Sequence, residues 1–312
     1  MQIPGKLAMN LVRENRSVRK YPSKSDARFK NGAVFPGVSP RFFIENNCTI
    51  FTIGSCFARN VEEKLAGNYA LPTMAFSVPK SEYPTRSNGL LNEYNPGTMC
   101  QRIVWALSGQ TIGEELIAEE GSGYVDLLLA AGPPVTRDRL FERRREIDNV
   151  YKSLVRSDVV IITLGLIECW YDTQLSLYLN RMPPERLLMN DSDRYEFHIL
   201  GVDESYTLLE TALSKLIQSG ITKILLTVSP VPLMATFSGL DCVTANSFSK
   251  SVLRVCSDEL CRKYQEVDYF PSYEIVVSKG HEAYRDDNIH VSDDVVGSIT
   301  QYLIDSYILK SK

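Results

Sequence analysis

Three short runs of apolar residues constrain the fold of this chain most strongly, because none of them has a polar side. They are CTIFTI at 48–53, DVVIITL at 158–164 and ILLTV at 224–228, and a shorter fourth run lies at 267–270. Strands of this kind are typical of a parallel sheet that is covered on both faces. The sequence therefore predicts an α/β fold with a mostly parallel central sheet.

Segments with helical periodicity alternate with these runs, as the crossovers of a parallel sheet require. The predicted helices begin after residue 55 and occupy 99–107, 139–156, 203–219, 245–264 and 295–308. Asp203 is predicted to cap the fourth of these. In the fifth, the apolar positions predict a packing face of Phe248, Val252, Val255 and Leu260.

Three segments depart from this alternation. Residues 1–47 are irregular and rich in Pro, Arg and Asn, which predicts an N-terminal arm on a single domain spanning 48–312. Residues 68–98 show no lasting period, and an irregular stretch of this length is more often a binding loop or lid than a plain connector. Residues 170–200 contain two alternating stretches, QLSLYL and YEFHIL, separated by polar turns, which predicts an inserted β-hairpin.

Composition argues against several classes of function. The formal charge is −4, and the one basic cluster, at 137–145, is interleaved with acidic residues, which predicts a solvated helix face rather than a nucleic-acid site. The seven cysteines are odd in number and include no CxxC pair, which favours reduced thiols in a cytoplasmic protein. No apolar run approaches the ~20 residues of a membrane span. No metal or cofactor is predicted, and the oligomeric state is left open.

Ligands of open α/β sheets bind beyond the carboxyl ends of the strands, so the residues that follow each apolar run are the candidate site. These residues are Gly54, Ser55 and Cys56 after the first run, Gly165 and Glu168 after the second, and Ser229 after the third.

Ser55 is the candidate nucleophile, because backbone N–H groups at a helix N-terminus can stabilise an oxyanion beside it. A serine hydroxyl also needs a base, and His290, just before the last helix, supplies an imidazole, the side chain most often used as a general base. Asp287 lies three residues earlier and could orient the imidazole. Alternatively, Asp287 or Asp293 could simply cap the final helix.

Other residues leave two interpretations open. Cys56 is either a second candidate nucleophile, with a thiol pKa lowered at the helix start, or a small packed residue. Glu168 is either a buried acid that tunes the site or a helix cap. Trp105 and Trp170 belong to the core by default, although aromatic rings here could also form a wall on which a sugar stacks.

The string GSCFA at 54–58 resembles the signature of the GSCFA family, which is itself similar to the SGNH or GDSL hydrolases. Six further segments follow in the family's order: LLNEYNPGTM (90–99), TLGLIECW (163–170), TVSPVPL (227–233), NSFSKSVLR (246–254), YFPSYEIV (269–276) and DNIH (287–290). The resemblance implies a flavodoxin-like, SGNH-hydrolase-like three-layer α/β/α sandwich. It also implies Ser55 as the nucleophile, His290 as the base and Asp287 as the third member.

The sequence departs from the SGNH pattern at two places. Ile53 and Gly54 precede the serine where Gly-Asp is usual, and Ile167 stands where an asparagine usually completes the oxyanion hole. Loss of one such donor typically lowers the rate by about two to three powers of ten. We expect the backbone N–H of Ser55 to be joined by Asn95 or Asn92 as the replacement.

These patterns predict a serine-dependent hydrolase of acetyl or other small acyl esters, with a carbohydrate or similar alcohol as the other half of the substrate. Two alternatives remain: an O-acyltransferase of polysaccharide assembly, and a catalytically weak binding protein of the same fold. The predicted partner is thus a small-molecule or glycan ester, without nucleic acid or membrane insertion.

Overall fold

The computed structural model describes residues 2–16, 18–191 and 193–309. Its helices are α1 (Gly5–Glu14), α2 (Cys56–Leu65), α3 (Pro96–Ser108), α4 (Arg137–Tyr151), α5 (Glu185–Asn190), α6 (Val202–Gln218), α7 (Cys242–Lys263), α8 (Ser272–Lys279) and α9 (Asp293–Tyr307). Its strands are β1 (Phe29–Lys30), β2 (Ala33–Val34), β3 (Ile50–Gly54), β4 (Ile117–Glu120), β5 (Gly123–Asp126), β6 (Val159–Leu164), β7 (Glu168–Asp172), β8 (Leu177–Leu179), β9 (Tyr195–Ile199), β10 (Ile224–Val228) and β11 (Val267–Tyr269). None of the helices within the described ranges combines the length and the apolar character that a membrane span requires.

The central sheet is parallel throughout, with the strand order β11-β10-β6-β3. Val160, Ile162 and Leu164 of β6 point into the core beneath α3, α6 and α7, whereas Val159 and Ile161 point into the core beneath α2, α8 and α9. Alternate residues of one strand therefore enter two separate cores. The prediction of a mostly parallel sheet with helices on both faces is confirmed as a three-layer α/β/α fold.

The inserted hairpin is present as β7 and β8, and β9 pairs with the other edge of β7. The two stretches predicted to form the hairpin therefore both pair with β7 rather than with each other. A second antiparallel pair, β4 with β5, was not predicted. Strand-like alternation identifies the segments, but it does not determine which strand lies between them.

The N-terminal segment contains regular structure that was not predicted. Helix α1 has no buried residue, and β1 pairs with β2. The rest of the arm lies against this same chain, because the Val34 N–H donates to Ser278 Oγ at 2.7 Å and the Ile44 N–H donates to the Tyr307 carbonyl at 2.8 Å. Ile44 is fully buried.

The segment 68–98, predicted as a binding loop or lid, contains two short 3-10 turns at 72–75 and 89–91. Leu90 and Leu91 are buried in the core beneath α3, and the Glu93 N–H donates to the Gly54 carbonyl at 3.0 Å. The final third of this segment therefore packs beside the end of β3.

The basic cluster on α4 forms the predicted solvated face only in part: Arg139 pairs along the helix with Glu142 and Glu146, whereas two other arginines are buried. Arg144 is buried and donates from Nε and Nη2 to the two carboxylate oxygens of Asp126 at 2.7 and 2.9 Å. Arg143 is also buried, 3.5 Å from the Glu82 carboxylate. Both acids come from other elements, so the spacing of charges within α4 could not reveal them.

A second buried ion pair fixes α2 to the sheet. Arg59 Nη1 lies 2.6 Å from Glu62 Oε1, and both side chains are almost completely shielded from solvent. Glu62 also accepts from the hydroxyls of Thr52 and Thr73 and from Asn88 Nδ2. These bonds join α2 to β3 and to the segment 72–88, and thereby hold the helix that follows Ser55.

We expect Glu62→Gln to lower the free energy of unfolding by about 3–5 kcal/mol, because the Arg59 charge would stay buried without its partner. Urea unfolding measures this loss. The neighbouring Glu63 provides a matched control: its ion pair with Arg86 is half exposed, so Glu63→Gln should cost no more than about 1 kcal/mol. Equal losses in the two variants would contradict this account of α2.

Candidate active site

Ser55 occupies the turn between β3 and α2, where it is the N-cap residue of the helix. Gly54 before it has a φ of +143°, and a Cβ there would lie 2.4 Å from the Thr163 carbonyl oxygen, so the turn requires glycine. Ser55 is only 2% exposed. Its backbone N–H has no acceptor among the described residues and remains available at the positive end of the helix.

A second hydroxyl faces Ser55 from the end of β10. Ser55 Oγ donates to Ser229 Oγ at 3.1 Å, and Ser229 Oγ accepts from the Val231 N–H at 3.3 Å. Both serines are buried. The parallel alignment of β3, β6 and β10 produces this contact, because their carboxyl ends reach the same edge of the sheet.

His290 and Asp287 form a bonded pair in the loop before α9. His290 Nδ1 lies 2.6 Å from Asp287 Oδ2, and Asp287 Oδ1 accepts from the N–H groups of Ile289 and His290 at 2.9 Å each. The hydrogen bond from the His290 side chain, followed by these backbone bonds, holds the pKa of Asp287 well below its usual range. With Nδ1 occupied by the carboxylate, Nε2 is the nitrogen left to accept a proton.

One pocket of about 290 Å³ is lined by Ser55, Ser229 and His290, so the structure brings together the predicted nucleophile and base. Asp287 joins them through the His290 ring. Ser55 Oγ donates to Ser229 rather than to His290, and Nε2 of His290 has no hydrogen-bond partner in the part of the chain that the structure describes. Catalytic hydrogen bonds of ligand-free sites are often long and tighten only with substrate. Two larger depressions, of about 460 and 580 Å³, include neither Ser55 nor His290.

The two asparagines expected to complete an oxyanion hole lie outside this pocket. Asn95 Oδ1 accepts from the Thr98 N–H at 2.9 Å and caps α3. Asn92 Nδ2 donates to the hydroxyls of Tyr94 and Tyr83 at 3.3 and 3.4 Å. Both asparagines are buried, and these contacts use Oδ1 of Asn95 and Nδ2 of Asn92.

Lys250 lines the pocket, and sequence reasoning did not identify it. It is 1% exposed, and its ammonium donates to the carbonyls of Gly165 and Val231 at 2.6 and 2.7 Å. Burial lowers the pKa of Lys250 to about 7. The residue therefore links the loops that follow β6 and β10, and it brings a titratable cation to the pocket.

The structure also bears on the two interpretations that the sequence left open for Cys56 and for Glu168. Burial raises the pKa of the Cys56 thiol, although Arg86 and Lys250 oppose this shift, so of the two interpretations the structure favours the packed residue over the thiolate nucleophile. Glu168 is the first residue of β7, lies outside the Ser55 pocket, and accepts from Thr236 Oγ1 at 2.6 Å. Glu168 is thus not a helix cap. Within the described ranges, no group of three or more His, Cys, Asp or Glu residues is placed to hold a metal ion.

A model of the GSCFA family matches residues 49–302, a range that contains Ser55, Lys250 and His290. The chain belongs to the GSCFA family. No curated protein matches it. In this GSCFA protein Ser55, which caps α2, and Cys56, which begins the helix, line the pocket, whereas Gly54 ends β3 just before them and is not part of the lining.

The last two letters of the GSCFA string serve the packing of the same turn. Phe57 and Ala58 are buried, and Phe57 lies in the core shared by α2, α8 and α9. The resemblance inferred from the sequence is therefore confirmed at the level of the family.

Proposed function

We propose that this GSCFA protein is a serine-dependent acyl ester hydrolase of the SGNH type, with Ser55 as nucleophile, His290 as general base and Asp287 as the residue that orients the imidazole. One observation carries the proposal: Ser55 and His290 line the same pocket, and the His290 ring is held through Nδ1 by a carboxylate. A hydroxyl and an imidazole held by an acid are the groups that acyl transfer requires.

In the proposed reaction the Ser55 hydroxyl turns from Ser229 towards His290 when an ester enters. Nε2 of His290 takes the hydroxyl proton as Oγ attacks the carbonyl carbon, and Asp287 stabilises the resulting imidazolium. The imidazolium then gives this proton to the departing alcohol, which leaves an acyl group on Ser55. In the second half, His290 takes a proton from water as its oxygen attacks the acyl carbon. The bond from that carbon to Oγ then breaks, the imidazolium returns the proton to Oγ, and the carboxylic acid leaves a restored Ser55.

The negative oxygen that develops on the carbonyl needs donors, and two groups support this step. The first is the free N–H of Ser55 at the start of α2. The second is Lys250: its ammonium has three N–H donors, two of which bind the carbonyls of Gly165 and Val231. The third N–H takes the place of the asparagine that Ile167 replaces, and no side chain of Asn92 or Asn95 is required.

The acyl group should be small, and an acetyl ester of a carbohydrate is the substrate we favour, because the pocket holds about 290 Å³. An O-acyltransferase is the second candidate. It is favoured by an adjoining cavity of about 180 Å³ that could hold an acceptor alcohol in the place of water. Cytoplasmic location remains a prediction from the cysteine content of the sequence.

Acetate release by the purified protein from p-nitrophenyl acetate and from acetylated oligosaccharides tests the function. Cys56→Ala should retain a kcat/KM close to that of the unchanged protein, because the thiol only lines the pocket. Loss of turnover in Cys56→Ala would make the thiol the nucleophile. Transfer of the acetyl group to an added oligosaccharide would establish the transferase, whereas failure of both reactions would leave the binding protein of the same fold.

A further inference from the structure

We propose that the cavity beside the Ser55 pocket, walled by Trp170, Phe197 and Phe237, is a subsite that binds a neutral pyranose ring, the alcohol half of the ester. The name aromatic cavity is used below for this space of about 180 Å³. The proposal deepens the proposed function and rests on it. A space of this size is smaller than the roughly 300–1,000 Å³ of drug-sized ligand pockets, so it suits a single ring.

The aromatic cavity adjoins the Ser55 pocket directly. Tyr94, Leu166, Leu233 and Ala235 line both spaces. An ester whose carbonyl carbon lies at Ser55 therefore has one side of the cleft for its acyl group and the aromatic cavity for its alcohol. The aromatic cavity could hold the leaving alcohol in ester hydrolysis or the acceptor alcohol in acyl transfer.

The three aromatic rings form a continuous wall. Trp170 lies 5.4 Å from Phe197 and 5.5 Å from Phe237, and the two phenylalanine rings are 5.6 Å apart, with interplanar angles between 58° and 74°. Phe237 is nevertheless 57% exposed, whereas the second tryptophan, Trp105, is buried in a core cluster against which Trp170 also packs. Flat rings that stay partly exposed beside a pocket offer the surface on which the C–H face of a sugar packs.

Two charged side chains on the same cavity favour a sugar over an alkyl chain. Glu168 accepts from Thr236 with Oε1, and within the described residues Oε2 has no hydrogen-bond partner. Arg181 donates from Nη1 to the Gly132 carbonyl at 3.2 Å, and its Nη2 lies 3.5 Å from the Glu120 carboxylate, so the five N–H donors of the guanidinium are not all used by these two groups. An alkyl chain would dehydrate these groups without replacing their bonds to water, whereas sugar hydroxyls both donate and accept.

The position of Phe237 is fixed by the contacts that also shape the Ser55 pocket. Its loop, 230–241, is held to β7 through Thr236 and Glu168, and to α7 through the bond from the Leu233 N–H to Asn246 Oδ1 at 3.1 Å. Lys250 binds the Val231 carbonyl of the same loop. The aromatic wall is therefore built onto the elements that carry the proposed chemistry.

Fluorescence of Trp170 tests sugar binding without any turnover. Trp105→Phe leaves Trp170 as the only tryptophan, and adding Ser55→Ala removes the proposed nucleophile, so the result does not depend on catalysis. The ligands are xylo-, manno- and chito-oligosaccharides, with 1-octanol as the apolar alcohol. We expect a saturable change with an oligosaccharide, its loss in Phe237→Ala, and its retention in Phe248→Ala, an exposed aromatic on α7 outside both cavities.

Saturation by 1-octanol alone, or by none of the ligands, would overturn the subsite. Kinetics give a second measure: Phe237→Ala should lower the ratio of kcat/KM for an acetylated oligosaccharide to that for ethyl acetate by about ten- to hundredfold. An unchanged ratio would place the alcohol elsewhere. Sugar binding without turnover of either ester would instead contradict the proposed function and leave the subsite standing.

Discussion

Ser55→Ala is expected to lower kcat for ester hydrolysis by about four to six powers of ten, because no other hydroxyl or thiol in the pocket is activated for attack. Among the described residues Ser229 Oγ bonds to Ser55 Oγ and the Val231 N–H, neither of which is a base, and burial raises the pKa of the Cys56 thiol. His290→Ala should cost a similar factor. The double variant should be little worse than either single variant, since the two groups act as a unit.

The measurement is kcat on p-nitrophenyl acetate, with urea unfolding to show that each variant is folded. Loss of the N-cap hydroxyl in Ser55→Ala should itself cost about 1 kcal/mol of stability. Ser229→Ala is the matched control, because it removes the resting partner of Ser55 and leaves the nucleophile and base in place. An equal loss of kcat in Ser55→Ala and Ser229→Ala would contradict the proposed pair of nucleophile and base. So would a double variant of Ser55→Ala and His290→Ala in which the two losses of kcat multiply.

Lys250→Met is expected to have the second largest effect, a loss of about two to three powers of ten in kcat. The substitution keeps the length of the side chain and removes both the cation and the bonds to the carbonyls of Gly165 and Val231. Lys263→Met, at the exposed end of the same helix, is the matched control and should retain its activity. Equal kcat values for the two variants would contradict the role given to Lys250.

The pH dependence separates catalysis by Lys250 from a purely structural role. Burial lowers the pKa of Lys250 to about 7, so the cation that assists the oxyanion is lost as the pH rises through that value. kcat of the unchanged protein should therefore fall on the alkaline side, and this fall should be absent in Lys250→Met. An alkaline limb that persists in the variant would assign it to another group.

The free energy of unfolding should rise with pH because of Lys250, whereas kcat should fall. The folded pKa of Lys250, about 7, lies below the unfolded value of about 10.4, so unfolding takes up a proton between these values. This contribution to stability is complete above the unfolded pKa and is lost as the pH falls towards 7. Urea unfolding across that window should show a rise with pH that Lys250→Met lacks.

The sheet and the edge that carries the site could be predicted because the relevant signals are local. Strands β3, β6 and β10 are buried on both faces, and their nearly continuous apolar residues predict this burial. Ser55 follows the first of them directly. His290 precedes α9, and Asp287 lies at a spacing from which one loop brings both side chains together.

Lys250 was not predicted as a site residue because the inward-facing side of α7 was inferred from the positions of its apolar residues. Phe248 and Val255, expected to pack inward, are 51% and 47% exposed, whereas Ser249 and Ser257 are buried. Polar residues line the inner face because they satisfy backbone groups of neighbouring segments, as Ser249 Oγ does for the Ile167 N–H at 3.1 Å. The burial of Lys250 follows from which face of α7 packs inward, and tertiary contacts determine that face.

The asparagines illustrate a signal that was present in the sequence. Asn95 is followed by Pro96, and an N-cap asparagine before a proline at the first helical position marks a helix start. That pattern commits the side-chain oxygen of Asn95 to the Thr98 N–H. The burial of Arg143 and Arg144, in contrast, depends on acids of other elements and has no local signal.

The central claim is that the Ser55 hydroxyl is activated by the imidazole of His290, and covalent labelling by a fluorophosphonate tests it most directly. Mass spectrometry should locate the phosphonyl group on Ser55, and the labelling rate should collapse in His290→Ala, because the hydroxyl is inert without its base. A label on a different residue, or an equal rate of labelling with and without the imidazole, would contradict the account.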